Sequence, residues 1–517
     1  METVDQVTKL RLRIAELELE NKNLHETVTF LTRKLFGRSS ETSKTLNIEG
    51  QVSLFDEAEV EADPNALEPT LEEVTIVRRK KYKGQRKEKL DDLPHKKVVY
   101  KLDPEDLSCP QCNADLKSIG QEFVRTEVEY IPAQLNVIDY FRETYECRSC
   151  KNTDEPYIEK SPLPSPVIPH SFASPSSIAH VMYQKFVNAM PLYRQEKDWA
   201  NLGLNLTRQT MSNWILIASR DWLFPIVNLL HQKMLEEEYL HADETRIQVL
   251  NEKDRKNTTD SFMWVYGTYK DSKFPIRIFE YHPTRNGDYA KEFLKGFSGY
   301  LVSDAYQGYE KVGNITRCYC WSHLRRYFVD ALPSDIKSPE ATLPTIAIEY
   351  CKKLFVIESE LEALSSEARK IQRQERSKPV LEAFWSWVEI NKDNCLPKSK
   401  LFKAFNYAIN QKEGLMNFLK DGNIAISNNL AENSIRPFTI GRKNWLFSGS
   451  PEGADASAAV YSVIETAKAN NINPYDYLVY IFKFLPGVRF DEEPEFLEDF
   501  LPWHPDVQAF CNNKVRK

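Results

Sequence analysis

Near the start of the chain, leucines recur on a seven-residue beat at Leu10, Leu17, Leu24 and Leu31, with Val7, Ile14, Asn21, Val28 and Leu35 in the companion positions. Val or Ile in one row and Leu in the other is the seam of a parallel two-stranded coiled coil, where a single Asn fixes register and partner number. Arg13 then faces Glu18 of the partner helix, an attractive pair. The rod from Val7 to Leu35 would run roughly 40 Å. An amphipathic helix packed on its own domain shows the same pattern, and dimerisation is the favoured reading of residues 1–37. Gly37 and the polar run Arg38 to Lys44 end the helix.

Beyond it the periodicity lapses over 38–95, read as a linker that is first acidic, then basic. From Glu122 to Tyr145 the chain is rich in Val, Ile, Tyr and Phe, as a strand hairpin within 96–160 requires. Five prolines between Ser161 and Ser177 mark a stiff connector and a boundary. Residues 178–235 read as helical. Within them Leu192–Ala200, a turn at Gly203 and Thr207–Ser219 outline a helix-turn-helix with Arg208, Gln209 and Asn213 placed to reach bases; an ordinary helix pair joined at glycine fits as well. Alternation then predicts strands at Tyr239–Leu250, Ser261–Tyr269 and Phe274–His282, a helix at Gly287–Phe297, and strands at Gly299–Ser303 and near Ile315–Cys320. Three antiparallel strands, helix, strand, strand, helix is the order of a ribonuclease-H-like core. That core would occupy 236–335 and 423–485, interrupted by a helical insertion at 336–422 and followed by a tail at 486–517. The expected fold class is therefore multidomain α+β: coiled coil, zinc-ribbon-like domain, helical DNA-binding region and ribonuclease-H-like domain.

At 517 residues several such units fit, and 42% hydrophobic content supports packed cores. No run of 18 apolar residues occurs, and Met1 to Arg13 lacks the apolar centre of a signal peptide, so a cytoplasmic chain without membrane contact is expected. The net charge of −7 argues against nucleic acid until its distribution is considered. Eight carboxylates lie between Phe55 and Glu73 and six between Asp491 and Asp499, with no Lys or Arg in either stretch. Setting those fourteen aside turns −7 into +7 for the remainder. Binding follows the local field. The run Arg78–Lys89 has eight basic residues in twelve, suited to phosphates or to the acidic stretch just before it.

Two C-x-x-C pairs, Cys109/Cys112 and Cys147/Cys150, match a four-thiolate zinc site. The 34 residues between the pairs exceed the usual spacing, so that segment must be ordered itself. Asp243 (in HADET) and Asp304 (in LVSDAYQGY) fall at the first and fourth strands of the core, and Glu432 (in NNLAENSIRPF) on the late helix. In a ribonuclease-H-like arrangement these three carboxylates converge, a donor set for Mg2+ or Mn2+ and for two-metal phosphodiester chemistry. Arg436, Arg442 and Lys443 follow Glu432 and are candidates for holding phosphates. Cys318, Cys320 and His323 fit no common zinc spacing; a structural role is expected, with His323 hydrogen-bonding near the cleft. Asn428 and Asn429 are expected to cap the helix carrying Glu432.

The segments HADETRIQVL, YLVSDAYQGYEKV, CYCWSHLRRYF and NNLAENSIRPFTIGRKNWLFSGSPEGADASAAVYS resemble the catalytic motifs of transposases of the insertion sequence 66 family. LTRKLFGRSSE, the paired C-x-x-C segment and VIPHSFASPSSIAH extend the resemblance over nearly the whole chain. It implies a DDE transposase of a bacterial mobile element, with Asp243, Asp304 and Glu432 as the acidic triad. Element ends and target duplex DNA would be its substrates, and two small accessory proteins its neighbours. Ser427 departs from the Asp that many members carry there. The rival class is a transposase-derived DNA-binding regulator without catalysis.

Overall fold

The computed structural model describes Lys97, Val99, Gln121, Phe123 and residues 133–146, 158–332 and 342–512. The heptad helix, the acidic and basic runs before residue 97, and Cys109, Cys112, Cys147 and Cys150 lie outside the described residues. The chain divides into two compact units. The smaller, built mainly from 62–163, contributes an antiparallel pair, β1 (Thr144–Glu146) and β2 (Ile158–Lys160).

Four helices follow: α1 (Pro175–Phe186), α2 (Leu192–Asn201), α3 (Arg208–Ala218) and α4 (Phe224–Leu235). A capping box opens α1, with Ser174 Oγ accepting the Ser177 N–H at 3.1 Å and Ser177 Oγ accepting the Ser174 N–H at 2.8 Å. Gly203 takes a left-handed φ of +96° between α2 and α3, where the sequence placed its turn. α3 passes through a π-helical turn, Ser219–Leu223, directly into α4.

The larger unit is built on a mixed sheet: β3 (Tyr239–Val249), β4 (Asp260–Thr268), β5 (Arg277–His282), then α5 (Gly287–Phe293), β6 (Gly299–Ser303), β7 (Ile315–Tyr319) and α6 (Trp321–Asp330). Strand order is β5-β4-β3-β6-β7; β3, β4 and β5 run antiparallel, while β6 pairs in parallel with β3 and β7. β4 is buried along nearly its whole length, so its sequence reads as an apolar run rather than as alternation. Two elements end differently from the sequence reading. β5 begins at Arg277 because Pro275 has no N–H to give a ladder, and α5 stops at Phe293 ahead of a left-handed Gly296.

Five helices then intervene: α7 (Leu343–Glu360), α8 (Ser366–Gln372), α9 (Lys378–Asn391), α10 (Lys400–Asn410) and α11 (Lys412–Met416). They share one core with the β7–α6 edge through Trp321, Leu324 and Phe328 against Leu354, Phe384 and Phe405. Each such fully buried side chain is worth about 1.5–3 kcal/mol. Arg373, 1% exposed, ties this region together: it pairs with Glu358 at 2.6 Å and donates to the carbonyls of Phe418, Asp421 and Ile424 at 2.7, 2.6 and 2.9 Å.

The chain returns to the sheet as α12 (Asn429–Trp445), a short β8 (Phe447–Ser448) beside β3, α13 (Pro451–Ala469), α14 (Pro474–Phe484) and α15 (Pro505–Asn512). α13 is buried on most of its surface and seals the outer edge of β5. Its Ser462 and Thr466 hydroxyls accept the N–H groups of Phe279 and Arg277 at 2.8 and 3.0 Å, so that edge offers no free ladder there. The stretch from 486 read as a tail carries a 3-10 turn and α15, with Leu497, Phe500, Leu501 and Val507 buried. Among the described residues no helix is long and apolar enough to cross a membrane.

Candidate active site

The parallel register of β3 with β6 pairs Tyr239 with Tyr300 and His241 with Val302; continued two residues further, it sets residue 243 level with 304. Asp243 is buried on β3, and Asp304 sits just past the end of β6 with its side chain 25% exposed. α12 crosses β3 here and brings Glu432 in its first turn, where the helix N-terminus favours a negative charge. The approach depends on Gly267 of β4, because a Cβ there would stand 2.8 Å from Cδ2 of Leu430.

Asn428 fixes the start of that helix, though not as a cap. It occupies the N-cap position, but its side chain makes no capping bond. Fully buried, it accepts from His241 Nδ1 at 3.1 Å and donates to the Ala242 carbonyl at 2.8 Å, clamping α12 to the two residues of β3 that precede Asp243. Burial holds His241 down at about 4, against the Asn428 hydrogen bond and with help from the Arg277 charge; the ring is neutral, and Nδ1 carries the proton it donates. The backbone N–H of Asn428 in turn donates to Cys320 Sγ at 3.1 Å.

Four carboxylates share the cleft. Burial, followed by the charges of Glu244, Glu432 and Asp304, holds the Asp243 carboxyl well above the usual carboxylate range. Burial and the Asp304 charge also raise Glu244, opposed by Arg285 and by the Tyr309 hydroxyl, which donates to it at 2.7 Å. Arg285 Nε donates to Glu244 at 2.7 Å, and its other arm lies 3.4 Å from Asp304. Arg317 donates to the Asp304 backbone carbonyl at 2.8 Å. Glu432 has His323 Nε2 at 3.8 Å and Arg326 at 3.9 Å, and its Oε1 finds no hydrogen-bond partner. For His323, burial opposes the charged ring, but Cys320 and Glu432 outweigh it and raise the imidazole to about 9. The ligating atoms of Cys320, His323 and Glu432 lie within 4.8 Å of one another.

Cys320, His323 and Glu432 offer sulfur, nitrogen and oxygen, a softer set than Mg2+ prefers. The all-oxygen set of Asp243, Asp304 and Glu432 suits a hard divalent cation by donor type, but among the described residues its ligating atoms do not form a group that close. An orphaned buried carboxylate oxygen and a buried acid facing three like charges are what such an ion would satisfy. Of the residues around these acids, His323 was expected near the cleft, whereas Glu244, Arg285 and Arg326 were not singled out from sequence. His323 and Arg326 were legible in principle, since their i, i+3 spacing puts them on one face of α6. Arg285 lies in a turn with no periodic signal.

The other predicted site residues are more dispersed. Arg208, Gln209 and Asn213 are exposed on α3, while Met211, Trp214 and Ile215 turn inward. Arg442 reaches β3, where it donates to Thr245 Oγ1 at 3.3 Å; Arg436 is half-buried and Lys443 exposed. Cys318 and Cys320 are buried core residues, in line with the structural role expected for them.

The fold and site thus define a mixed-sheet protein with an acid-lined, cation-bordered cleft where the end of β6 meets the middle of its neighbour β3. Comparison with known proteins makes the family explicit. Residues 170–456 match the model of the Transposase IS66 family, 106–151 the zinc-finger binding domain of transposase IS66, 23–98 the model described as Transposase C of IS166 homeodomain, and 462–503 the IS66 C-terminal element. The chain belongs to the IS66 family of transposases. It is 30% identical to the uncharacterized protein y4hP of Sinorhizobium fredii (strain NBRC 101917 / NGR234) over 434 residues, covering 80% of this chain and 75% of that protein. It is 29% identical to y4jD of the same strain over 425 residues, covering 80% of each.

Proposed function

We propose that this chain is a DDE transposase that recognises the ends of its own mobile element and catalyses metal-dependent strand cleavage and strand transfer. The observation that carries the reading is the gathering of Asp243, Asp304 and Glu432 from two strands and a helix, close enough that the charges of Glu432 and Asp304 help hold the buried Asp243 carboxyl above its usual range. The strand order β5-β4-β3-β6-β7 with three antiparallel strands supports a ribonuclease-H-like core. Asp243, Asp304 and Glu432 would hold Mg2+ or Mn2+, which when bound supplies Lewis-acid charge to the phosphodiester under attack.

The chain's own residues do the positioning. Asn428 keeps Glu432 against Asp243. Arg285, already between Glu244 and Asp304, presents a guanidinium to a phosphate entering beside Asp304. His323 holds a proton at neutral pH beside Glu432 and adds positive charge where the cleaved strand gains negative charge. Water attacks a phosphodiester at the element end to release a 3′-hydroxyl, and that hydroxyl then attacks target DNA. Arg208, Gln209 and Asn213 on α3, with Arg436, Arg442 and Lys443 along α12, are the proposed DNA contacts. Cys109, Cys112, Cys147 and Cys150 are the proposed zinc ligands, and the heptad helix the means of pairing two chains. Two small accessory proteins belong to the same reading.

The test is strand cleavage on a duplex carrying the element's terminal sequence, with Mg2+ added or withheld. Nicking at the element boundary only with metal supports the proposal. Tight binding of that duplex with no cleavage under any divalent ion would instead identify a DNA-binding regulator.

A further inference from the structure

We infer that the cleft opening beside Asp304 is a pocket for one unstacked nucleobase of the DNA strand being processed, an inference that rests on the transposase reading above. The cleft has a volume of about 390 Å³. That is the small end of the roughly 300–1,000 Å³ typical of small-ligand sites, suited to one nucleotide rather than a length of duplex. Asp304 and Arg285 stand at one side of it, so a strand whose phosphate lies at the acids has its adjoining base within reach.

The walls are aromatic. Tyr327 of α6 and Tyr407 of α10 stack with ring centroids 4.6 Å apart and planes 30° from parallel. Tyr327 is 39% exposed, an unusual position for a ring that serves only packing. On the other side the Arg285 guanidinium lies 3.9 Å over the Tyr306 ring, a flat cation–π platform of the kind on which bases stack. The polar groups inside are unspent. The Tyr407 hydroxyl and His323 Nδ1 are both buried and have no hydrogen-bond partner among the described residues, and Gln411 closes the same space. Leaving two buried polar atoms unpaired costs stability unless a ligand satisfies them. Aromatic faces for the ring and unpaired donors and acceptors for its edge are what an extruded base requires.

The arrangement also gives the helical insertion a role. α6 follows β7 directly, whereas Tyr407 lies on α10 and Gln411 just past its end, so the insertion supplies part of the wall of a pocket that Asp304 also lines.

The test measures binding, with Ca2+ in place of Mg2+, of fluorescein-labelled duplexes of the element's terminal sequence, each carrying an abasic site at one position near the cut. For the wild-type chain, one abasic position should weaken binding on the order of tenfold, the worth of one base–aromatic stack. In Tyr327→Ala combined with Tyr407→Ala, the intact duplex should bind as weakly as the abasic one does to wild type, and the abasic site should have no further effect. Tyr407→Phe keeps the ring and the fold and should lose only the preference among bases at that position. Penalties that are the same in wild type and variants at every position, or no penalty at any position, would overturn the pocket. Because the readout is binding, a chain that discriminates at one position but never cuts would retain the pocket and lose the catalytic reading.

Discussion

Replacing Asn428 with alanine tests how the cleft is held together. The side chain is fully buried and spans two elements nearly two hundred residues apart in sequence, bonding His241 at 3.1 Å and the Ala242 carbonyl at 2.8 Å. Its removal strands one buried donor, His241 Nδ1–H, and one buried acceptor, the Ala242 carbonyl. Each buried group left unpaired costs about 1–3 kcal/mol, so the pair costs about 2–6 kcal/mol. That is a large share of the roughly 5–15 kcal/mol by which domains are stable. A melting point lower by on the order of 5–10 °C follows. Freed from β3, the first turn of α12 lets Glu432 drift, and misplacement of this kind lowers cleavage by up to about a hundredfold. Asn428→Asp should be worse, because it puts a carboxylate oxygen where an N–H now meets the Ala242 carbonyl. The assays are thermal melting, strand cleavage at saturating DNA and a gel shift; DNA binding should be unchanged. A variant that melts and cleaves like wild type would refute the clamp.

Three further outcomes can be checked independently. Asp243→Asn should stabilise the chelated protein: the folded state raises this acid's pKa by burial and like charges, so stability is lost as pH rises from about 3.8, and the variant's advantage in melting point should grow over that range and vanish at lower pH. Equal melting curves at neutral pH would remove the crowding argument. Arg373→Ala leaves the partly buried Glu358 and the carbonyls of Phe418, Asp421 and Ile424 without their partner and should cost about 3–5 kcal/mol in urea or thermal unfolding, whereas a loss below 1 kcal/mol would show the insertion does not depend on it. Elemental analysis should find about one zinc per chain, lost when Cys109 and Cys112 are both changed to serine; purified protein without zinc would end the ribbon assignment.

Local chemistry made much of the fold legible. Runs of β-branched and aromatic residues between polar turns located β3, β4, β6 and β7, and glycine and proline signals located the connectors. The misses trace to features without periodicity: β8 is two residues long, and the end of α5 is set by Gly296 rather than by its apolar pattern. Within the site, the acids at 243, 304 and 432 stood out because each lies on or just past a patterned element, Asp243 in the middle of β3. Their surroundings did not. That Asn428 would turn away from its own helix to meet His241, or that Arg285 would lie between Glu244 and Asp304, depends on pairings between distant segments that no single stretch records. The π-helical turns at Ser219–Leu223 and Arg373–Ser377 were equally silent in sequence.

If Asp243, Asp304 and Glu432 act together in DNA cleavage, comparing Asp243→Asn, Asp304→Asn and Glu432→Gln side by side will show it. Each keeps side-chain size and removes one negative charge from the set. Groups that work as one unit lose nearly everything when any one is removed, so each single variant should cleave and transfer strands about as poorly as all three combined. Gel shifts with the same DNA should show binding retained or slightly tightened, since less negative charge then faces phosphate. Near-wild-type cleavage by any one variant in Mg2+ would contradict the assignment at that residue. Loss of fold and DNA binding in all three would make the acids structural and leave the catalytic reading without support.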